Sequence, residues 1–210
     1  MTRPVLLIVV LVMVALLAAC APQPSDAPPA ETAPVAVPAD QVPENVKAEL
    51  KNAVMMLGGS LKARLSEELG AHGPLAAINV CAKEAPKMTA EASTAGVSVR
   101  RVSLKIRNPM SQPSEYEREQ LEHFAQLVAE GKVLEGQFKT RLEGDETAVY
   151  FFKPLLIEKA CVNCHGPVDS LDEELAARLA ELYPADQATG YEEGDLRGMF
   201  SARTTLPNTL

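Results

Sequence analysis

Two cysteines and a histidine lie together in the segment Cys161-Val162-Asn163-Cys164-His165. Two thiols three positions apart, on one helical turn, can form thioethers with the two vinyl groups on one edge of a porphyrin. The imidazole that follows can lie under the ring and bind its iron, and histidine is the usual proximal ligand of an attached haem. The motif therefore predicts one covalently bound haem c, with Cys161 and Cys164 as attachment residues and His165 as a metal ligand.

Three other roles for the two thiols have weaker support from the sequence. A structural zinc site would need a second pair of cysteine or histidine ligands at ligand spacing, and His72 and His123 are isolated. A redox dithiol of the thioredoxin type would need a βαβ context. A disulfide across two intervening residues closes a very small loop and stabilises little. We keep a zinc-binding structural protein as a remote alternative.

The N-terminal residues are typical of an exported lipoprotein. Arg3 precedes an uncharged apolar run that ends in small residues, as a secretory signal does. Leu17-Ala18-Ala19-Cys20 resembles the site at which a bacterial peptidase cuts before a lipidated cysteine. We therefore expect a signal peptide over 1–19, a lipid anchor at Cys20, and a periplasmic domain tethered to a membrane. The alternative is an uncleaved anchor that spans the membrane.

Composition divides the rest of the chain into a tether and a domain. Prolines recur through 20–43 among alanines and acidic residues, which predicts an extended spacer without a core. Residues 44–210 are enough for a single domain with a proper core. The formal net charge of −8 and the lack of a basic block argue against a nucleic-acid partner.

Cys81, in AINVCAKEAP, has no obvious partner among the four cysteines. It could be a buried, inert thiol, or its thiolate could be the sixth ligand of the haem iron, opposite His165. Methionine is the common sixth ligand in small cytochromes c, so methionines and the other histidines compete for this position. The competitors are Met55, Met88, Met110, Met199, His72 and His123.

Hydrophobic periodicity predicts an α+β domain, with a small antiparallel sheet flanked by helices and a long N-terminal helix. Helices are expected over 45–69, 75–83 and 114–130, with a break at 70–74, and from a capping box at Ser170 and Glu173 to Leu182. Strands are expected over 97–107, with a bulge at Arg100-Arg101 where the alternation slips, over 136–142 and 148–156, and briefly in the turn-rich tail.

Four blocks of the sequence carry a resemblance to a known family. They are AINVCAKEAP, RRVSLKIRNPMSQP, CVNCHG and ATGYEEGDLRGMFS, in that order. They resemble a bacterial and cyanobacterial group of monohaem c-type domains with a PAS-like fold, long described only as a domain of unknown function. Some of its members stand alone, and others precede histidine kinases or methyl-accepting receptors.

The resemblance implies which residues hold the haem. In that family the motif histidine and the cysteine of the first block are the axial ligands, which are His165 and Cys81 here. The basic residues Arg101 and Arg107 suit the haem propionates, although both could also lie on a solvated polar face. For Tyr191, Asp195 and Arg197, in the last block, turn geometry and packing at the haem edge are the only roles that we can suggest.

Thiolate ligation would favour ferric iron and a low reduction potential. We therefore expect a stand-alone lipoprotein that acts as a redox or gas sensor, or as a low-potential electron-transfer cytochrome, with an unknown partner protein. These two roles stay open, and both are more in keeping with the residues than catalysis. The alternative from another class is a haem enzyme such as a peroxidase, for which His123 or His72 would have to serve as the distal acid or base.

Overall fold

The computed structural model describes residues 35–94 and 96–208. Helices occupy Glu44–Asn79 (α1), Ala85–Glu91 (α2), Glu115–Ala129 (α3), Val162–His165 (α4) and Glu173–Leu182 (α5). Strands occupy Ser98–Val102 (β1), Gln137–Glu143 (β2), Glu146–Leu156 (β3) and Leu196–Pro207 (β4). The predicted α+β class, the long N-terminal helix and the small antiparallel sheet are confirmed.

Helix α1 follows from its apolar stripe, since Leu50, Val54 and Leu57 lie on one face and are buried. The predicted break is present as a kink within the helix. Gly73 has φ 76°, a left-handed conformation that glycine tolerates, and Pro74 follows it. Because the backbone of Gly73 is not helical, a second helical segment follows the break and runs through Asn79 into the π-helical turn Val80–Glu84, in agreement with the separate helix predicted over 75–83.

The sheet has the strand order β1-β4-β3-β2, and every neighbouring pair is antiparallel. Strands β2 and β3 form a hairpin in which Gly144, with φ 62°, makes the turn. The long C-terminal strand β4 lies between β1 and β3. The prediction of only a short strand in the tail is therefore wrong, because β4 is a central strand of twelve residues.

Both faces of the sheet are covered. On one face Val99, Phe151 and Phe200 pack with Leu50 and Leu57 of α1. On the other, Val102, Phe152 and Met199 pack with Leu121 and Phe124 of α3. Side chains that alternate between two buried faces produce a nearly continuous apolar strand pattern.

This two-sided burial corrects the predicted bulge at Arg100-Arg101. Strand β1 pairs with β4 in an unbroken register, from Ser98 opposite Arg203 to Val102 opposite Met199. The alternation slips because Val99 and Val102 lie on opposite faces that are both buried. The strand also ends at Val102 rather than at 107. The register shift in the sheet is between Leu155 and Leu156 of β3.

The predicted capping box before α5 is also wrong. The N-cap is Asp172, whose side chain accepts a hydrogen bond from the backbone N–H of Leu175 at 3.1 Å. The Ser170 hydroxyl instead donates to the carbonyl oxygen of Pro167. A genuine capping box opens α3, where Ser114 and Glu117 each accept from the other's backbone.

The residues before α1 lie against the domain. Val42 is buried in the α1 face of the core, and the backbone N–H of Val37 donates to the Thr147 hydroxyl at 2.9 Å. These residues belong to the C-terminal part of the predicted tether. The signal peptide at 1–19 and Cys20 lie outside the described residues. Among the helices that the structure describes, none is long and apolar enough to cross a membrane.

Candidate functional site

The two motif cysteines lie on one tight helical stretch. A single 3₁₀ turn, Lys159–Cys161, runs directly into α4, so Cys161 and Cys164 are one helical turn apart. Gly166 ends this helix where the chain has no room for a side chain. A Cβ at Gly166 would lie 2.7 Å from the carbonyl oxygen of Val162, which explains the glycine after the motif.

The imidazole of His165 is held in one orientation. Its Nδ1 donates to the carbonyl oxygen of Ala188 at 2.7 Å, which leaves Nε2 as the nitrogen available to a metal. The backbone N–H of Tyr191 donates to the carbonyl oxygen of His165, and the two rings meet edge to face. Burial lowers the pKa of His165 to about 3, and the charges of Arg197 and Arg107 act in the same direction. The ring is therefore neutral, as a metal ligand must be.

Cys81 lies in a π-helical turn, Val80–Glu84, between α1 and α2. The turn is closed by the backbone N–H of Ala85, which donates to the carbonyl oxygen of Val80. Burial raises the pKa of the Cys81 thiol, while the positive charges of Arg101, Arg107 and Arg197 oppose that rise. A thiol at this position is therefore protonated unless a metal ion or another cation stabilises its anion.

Cys81 and the motif line one cavity of about 660 Å³, a size within the range of roughly 300–1,000 Å³ that is usual for small-molecule and cofactor sites. Its apolar walls come from α1, α5 and the ends of β3 and β4. The cavity therefore brings together all six residues predicted to hold a haem or its iron, which are Cys81, Arg101, Arg107, Cys161, Cys164 and His165.

The two predicted arginines differ in their partners. Arg107 is 8% exposed and its guanidinium is already engaged by the protein. It forms an ion pair with Asp186 at 2.8 Å and donates to the carbonyl oxygens of Cys164 and Ala188 at 2.6 and 3.2 Å. Arg107 thus ties the motif to the loop that orients His165.

Arg101 has unused hydrogen-bonding capacity. Its Nε is buried and has no hydrogen-bond partner in the described part of the chain, although a buried donor normally has one. Burial lowers the pKa of this guanidinium. A buried, unpaired donor on a cation that lines a cavity fits an anionic group of a bound molecule, such as a carboxylate.

Arg197 is a third arginine that lines the cavity, and sequence reasoning assigned it no chemical role. Its Nη1 donates to the Ser103 hydroxyl at 2.8 Å and to the carbonyl oxygen of Lys105 at 3.2 Å. Its guanidinium also lies near the Tyr191 ring, 5.7 Å from the centroid. Arg197 is the lone basic residue in the last block, and this feature of the sequence could have marked it as a residue of the site.

The competing sixth ligands are differently placed. Met55 lines the cavity but is 51% exposed, and Met110 is 79% exposed. Met199 is buried in the core on the α3 face of the sheet. The exposed His72 on α1 and His123 on α3 are not among the residues that line the cavity. Within the described residues, Cys81 is thus the candidate sixth ligand that the cavity encloses most fully.

The donors of the cavity match the needs of one chemical group. Two thiols can form thioethers, an oriented imidazole and a second thiol can bind iron, and an unpaired guanidinium can bind a carboxylate. Together these are the donors that an attached haem requires. Among the described residues, those of the cavity included, no group of three or more histidine, cysteine, aspartate or glutamate side chains is arranged to hold a metal ion without such a cofactor.

Comparison with known proteins gives two matches that cover most of the chain. Residues 32–205 match the model of the Tll0287-like family. The chain is also similar to the crystal structure of the cyanobacterial haem protein Tll0287, with 29% identity and a TM-score of 0.61. That similarity covers 80% of this chain and 97% of the other. No curated protein matches the sequence. The resemblance carried by the four sequence blocks is confirmed, and the chain belongs to the Tll0287-like family.

Proposed function

We propose that this protein is a redox protein that carries one covalently bound haem c, with His165 and Cys81 as the axial ligands of the iron. The observation that carries the proposal is the hydrogen bond from His165 Nδ1 to Ala188, beside both attachment cysteines and in the same cavity as Cys81. The similar cyanobacterial protein is itself a haem protein, which supports the proposal independently.

The side chains of the cavity would create an environment for anionic groups. A bound haem would supply one-electron redox chemistry at its iron. Cys81 would contribute a thiolate whose negative charge is offset by nearby arginines, and Arg101 would donate its unpaired Nε to a propionate. Apolar walls would exclude water. Thiolate ligation would favour the ferric state, so we expect a low midpoint potential.

Electron transfer and sensing are both consistent with such a site. Sensing is supported by one specific observation, the π-helical turn at Cys81, because such turns are uncommon and are frequent at functional sites. A ligand on a turn of this kind could leave the iron when the iron is reduced. The peroxidase alternative gains no support, since His72 and His123 are exposed and are not among the residues lining the cavity.

We also propose that the protein is a lipoprotein anchored through Cys20 outside the cytoplasm. The support is the N-terminal sequence pattern alone. Cys20→Ser should release the protein from the membrane fraction or misdirect it. Wild-type protein found soluble after signal cleavage would contradict the lipid anchor without affecting the proposed haem site.

Covalent attachment tests the central proposal. Purified wild-type protein should keep its red colour after extraction with acidified organic solvent, and its mass should exceed that of the polypeptide by one haem. Cys161→Ser and Cys164→Ser should each leave at most one thioether, and the double variant should release all of its haem. Haem that is fully extracted from the wild type, or zinc found in its place, would refute the proposal.

A further inference from the structure

The π-helical turn that carries Cys81 needs support from its surroundings. A π turn is a rare departure from α-helical geometry and normally persists only as a single turn. Here the turn Val80–Glu84 is flanked by α-helix on both sides. Its first residue, Val80, is buried and 2% exposed. The last residue, Glu84, is instead held by an ion pair with a basic residue of α1.

The residue of α1 that pairs with Glu84 is Arg64. Its Nε donates to Glu84 Oε2 at 2.9 Å, and its Nη2 donates to Glu84 Oε1 at 3.2 Å. This bidentate arrangement fixes both the distance and the plane of the carboxylate, which a single contact would not do. Glu68, one turn further along α1, accepts from Arg64 Nη1 at 2.9 Å and so orients the guanidinium.

We propose that Arg64 is a positioning residue for the Cys81 ligand. The bidentate pair with Glu84 joins α1 to the far end of the π turn, three residues after Cys81, and limits how the turn can rotate. This inference rests on the proposed ligation of haem iron by Cys81. Arg64 does not line the cavity and touches no ligand itself, so its effect on the iron passes through the turn.

A competing ligand measures how firmly Cys81 is held. In Glu84→Gln, imidazole added to the ferric holoprotein should replace the thiolate at lower concentration than in the wild type, as followed by absorption. Pairs as exposed as Arg64 and Glu84 change an equilibrium constant by about two- to fivefold, and the half-saturating imidazole concentration should fall by that factor. The midpoint potential should also rise, because a loosened thiolate stabilises ferric iron less.

Glu67→Gln is the matched control. Glu67 also contacts Arg64, at 3.5 Å, but it lies on α1 and is 74% exposed, so it does not reach the turn. Its imidazole titration should equal that of the wild type. Arg64→Gln should reproduce the effect of Glu84→Gln, and the double variant should show no further change, since the two side chains act through one contact.

The outcomes separate this inference from the proposed function. If wild-type protein holds haem covalently and shows thiolate ligation, but Glu84→Gln titrates with imidazole as the wild type does, Arg64 does not position Cys81. Equal shifts in Glu84→Gln and Glu67→Gln would also overturn it. If the wild type lacks covalent haem, the proposed function itself fails. If Glu84→Gln folds poorly, Arg64→Lys can replace it, since it keeps the charge but not the bidentate contact. Its half-saturating imidazole concentration should lie between those expected for the wild type and for Arg64→Gln.

Discussion

Replacing Arg107 distinguishes two roles for this buried guanidinium. If Arg107 only contacts haem propionates, its loss should leave the stability of the polypeptide nearly unchanged. The structure instead gives it three protein partners, which are Asp186 and the carbonyl oxygens of Cys164 and Ala188. Arg107→Met keeps the length and apolar volume of the side chain but removes the charge and every donor.

The expected loss of stability is large because both charges are enclosed. Arg107 is 8% exposed and Asp186 is 13% exposed. Removing one partner of a buried ion pair leaves the other charge uncompensated and costs about 3–5 kcal/mol. We expect a value near the lower end, about 3 kcal/mol, because Ala188 keeps its hydrogen bond from His165. Asp186→Asn should cost a similar amount, because it leaves the buried charge of Arg107 uncompensated. Its single amide oxygen also cannot accept from both Arg107 and the backbone N–H of Ala188, as the two carboxylate oxygens do.

Urea unfolding of the holoprotein, followed by far-ultraviolet circular dichroism, measures the difference in unfolding free energy between Arg107→Met and the wild type. Arg178→Met is the control, since Arg178 pairs with Glu181 on the exposed side of α5. That variant should lose less than about 1 kcal/mol. The reasoning would be refuted if Arg107→Met lost no more stability than Arg178→Met. Arg107 would then serve the cavity alone.

Three further variants have defined outcomes. Cys81→Ala should keep covalent haem but change the ferric spectrum to that of a high-spin or differently ligated iron, because the proposed thiolate is lost. Gly198→Ala should lower the unfolding free energy by about 1–3 kcal/mol in thermal melts, since its Cβ would lie 2.4 Å from the carbonyl oxygen of Val102. Burial raises the pKa of Glu143, but hydrogen bonds from Tyr150 and Arg203 outweigh burial and hold it below its ordinary 4.5. Stability should therefore fall as the pH drops below 4.5, and Glu143→Gln should flatten that fall in urea titrations.

Each of the three has a result that would contradict it. An unchanged ferric spectrum in Cys81→Ala would mean that the thiol only packs in the cavity wall. Gly70→Ala, at an open helical position, should be neutral or stabilising, so an equal loss in both glycine variants would exclude a local clash. The exposed Glu122 on α3 is the control for acid stability. If Glu122→Gln flattened the curve as much as Glu143→Gln, the hydrogen bonds of Glu143 would not be the cause.

The arrangement of the motif side chains was predictable because it depends on short spacing. Cys161, Cys164 and His165 fall within one helical turn whatever the surrounding fold, so a local motif is enough to describe their arrangement. The long helix α1 was predictable for a similar reason, since a regular apolar stripe survives in any tertiary context. Gly73 and Pro74 also marked the kink through local backbone geometry.

The sheet was harder to predict because its pattern depends on what covers it. Val99 and Val102 are both apolar although they point to opposite faces of the sheet, which suggested a bulge. The packing of α1 on one face and α3 on the other explains both residues without one. The length of strand β4 was underestimated because Gly198 inside it, like Gly190 and Gly194 before it, resembles a turn residue. Gly198 lies inside the strand, where the carbonyl oxygen of Val102 is too close for a side chain. The sequence alone does not show this contact between neighbouring strands.

The carbonyl oxygen of Ala188 explains why three distant sequence blocks occur together. It accepts from His165 of the motif and from Arg107 of the second block, while Ala188 itself begins the last block. Arg107 also holds the carbonyl oxygen of Cys164, so the same guanidinium fixes both the motif and the loop that orients its imidazole. Replacing Arg107 or shifting the backbone at Ala188 would therefore alter the direction of His165 Nε2, even though Ala188 itself does not line the cavity.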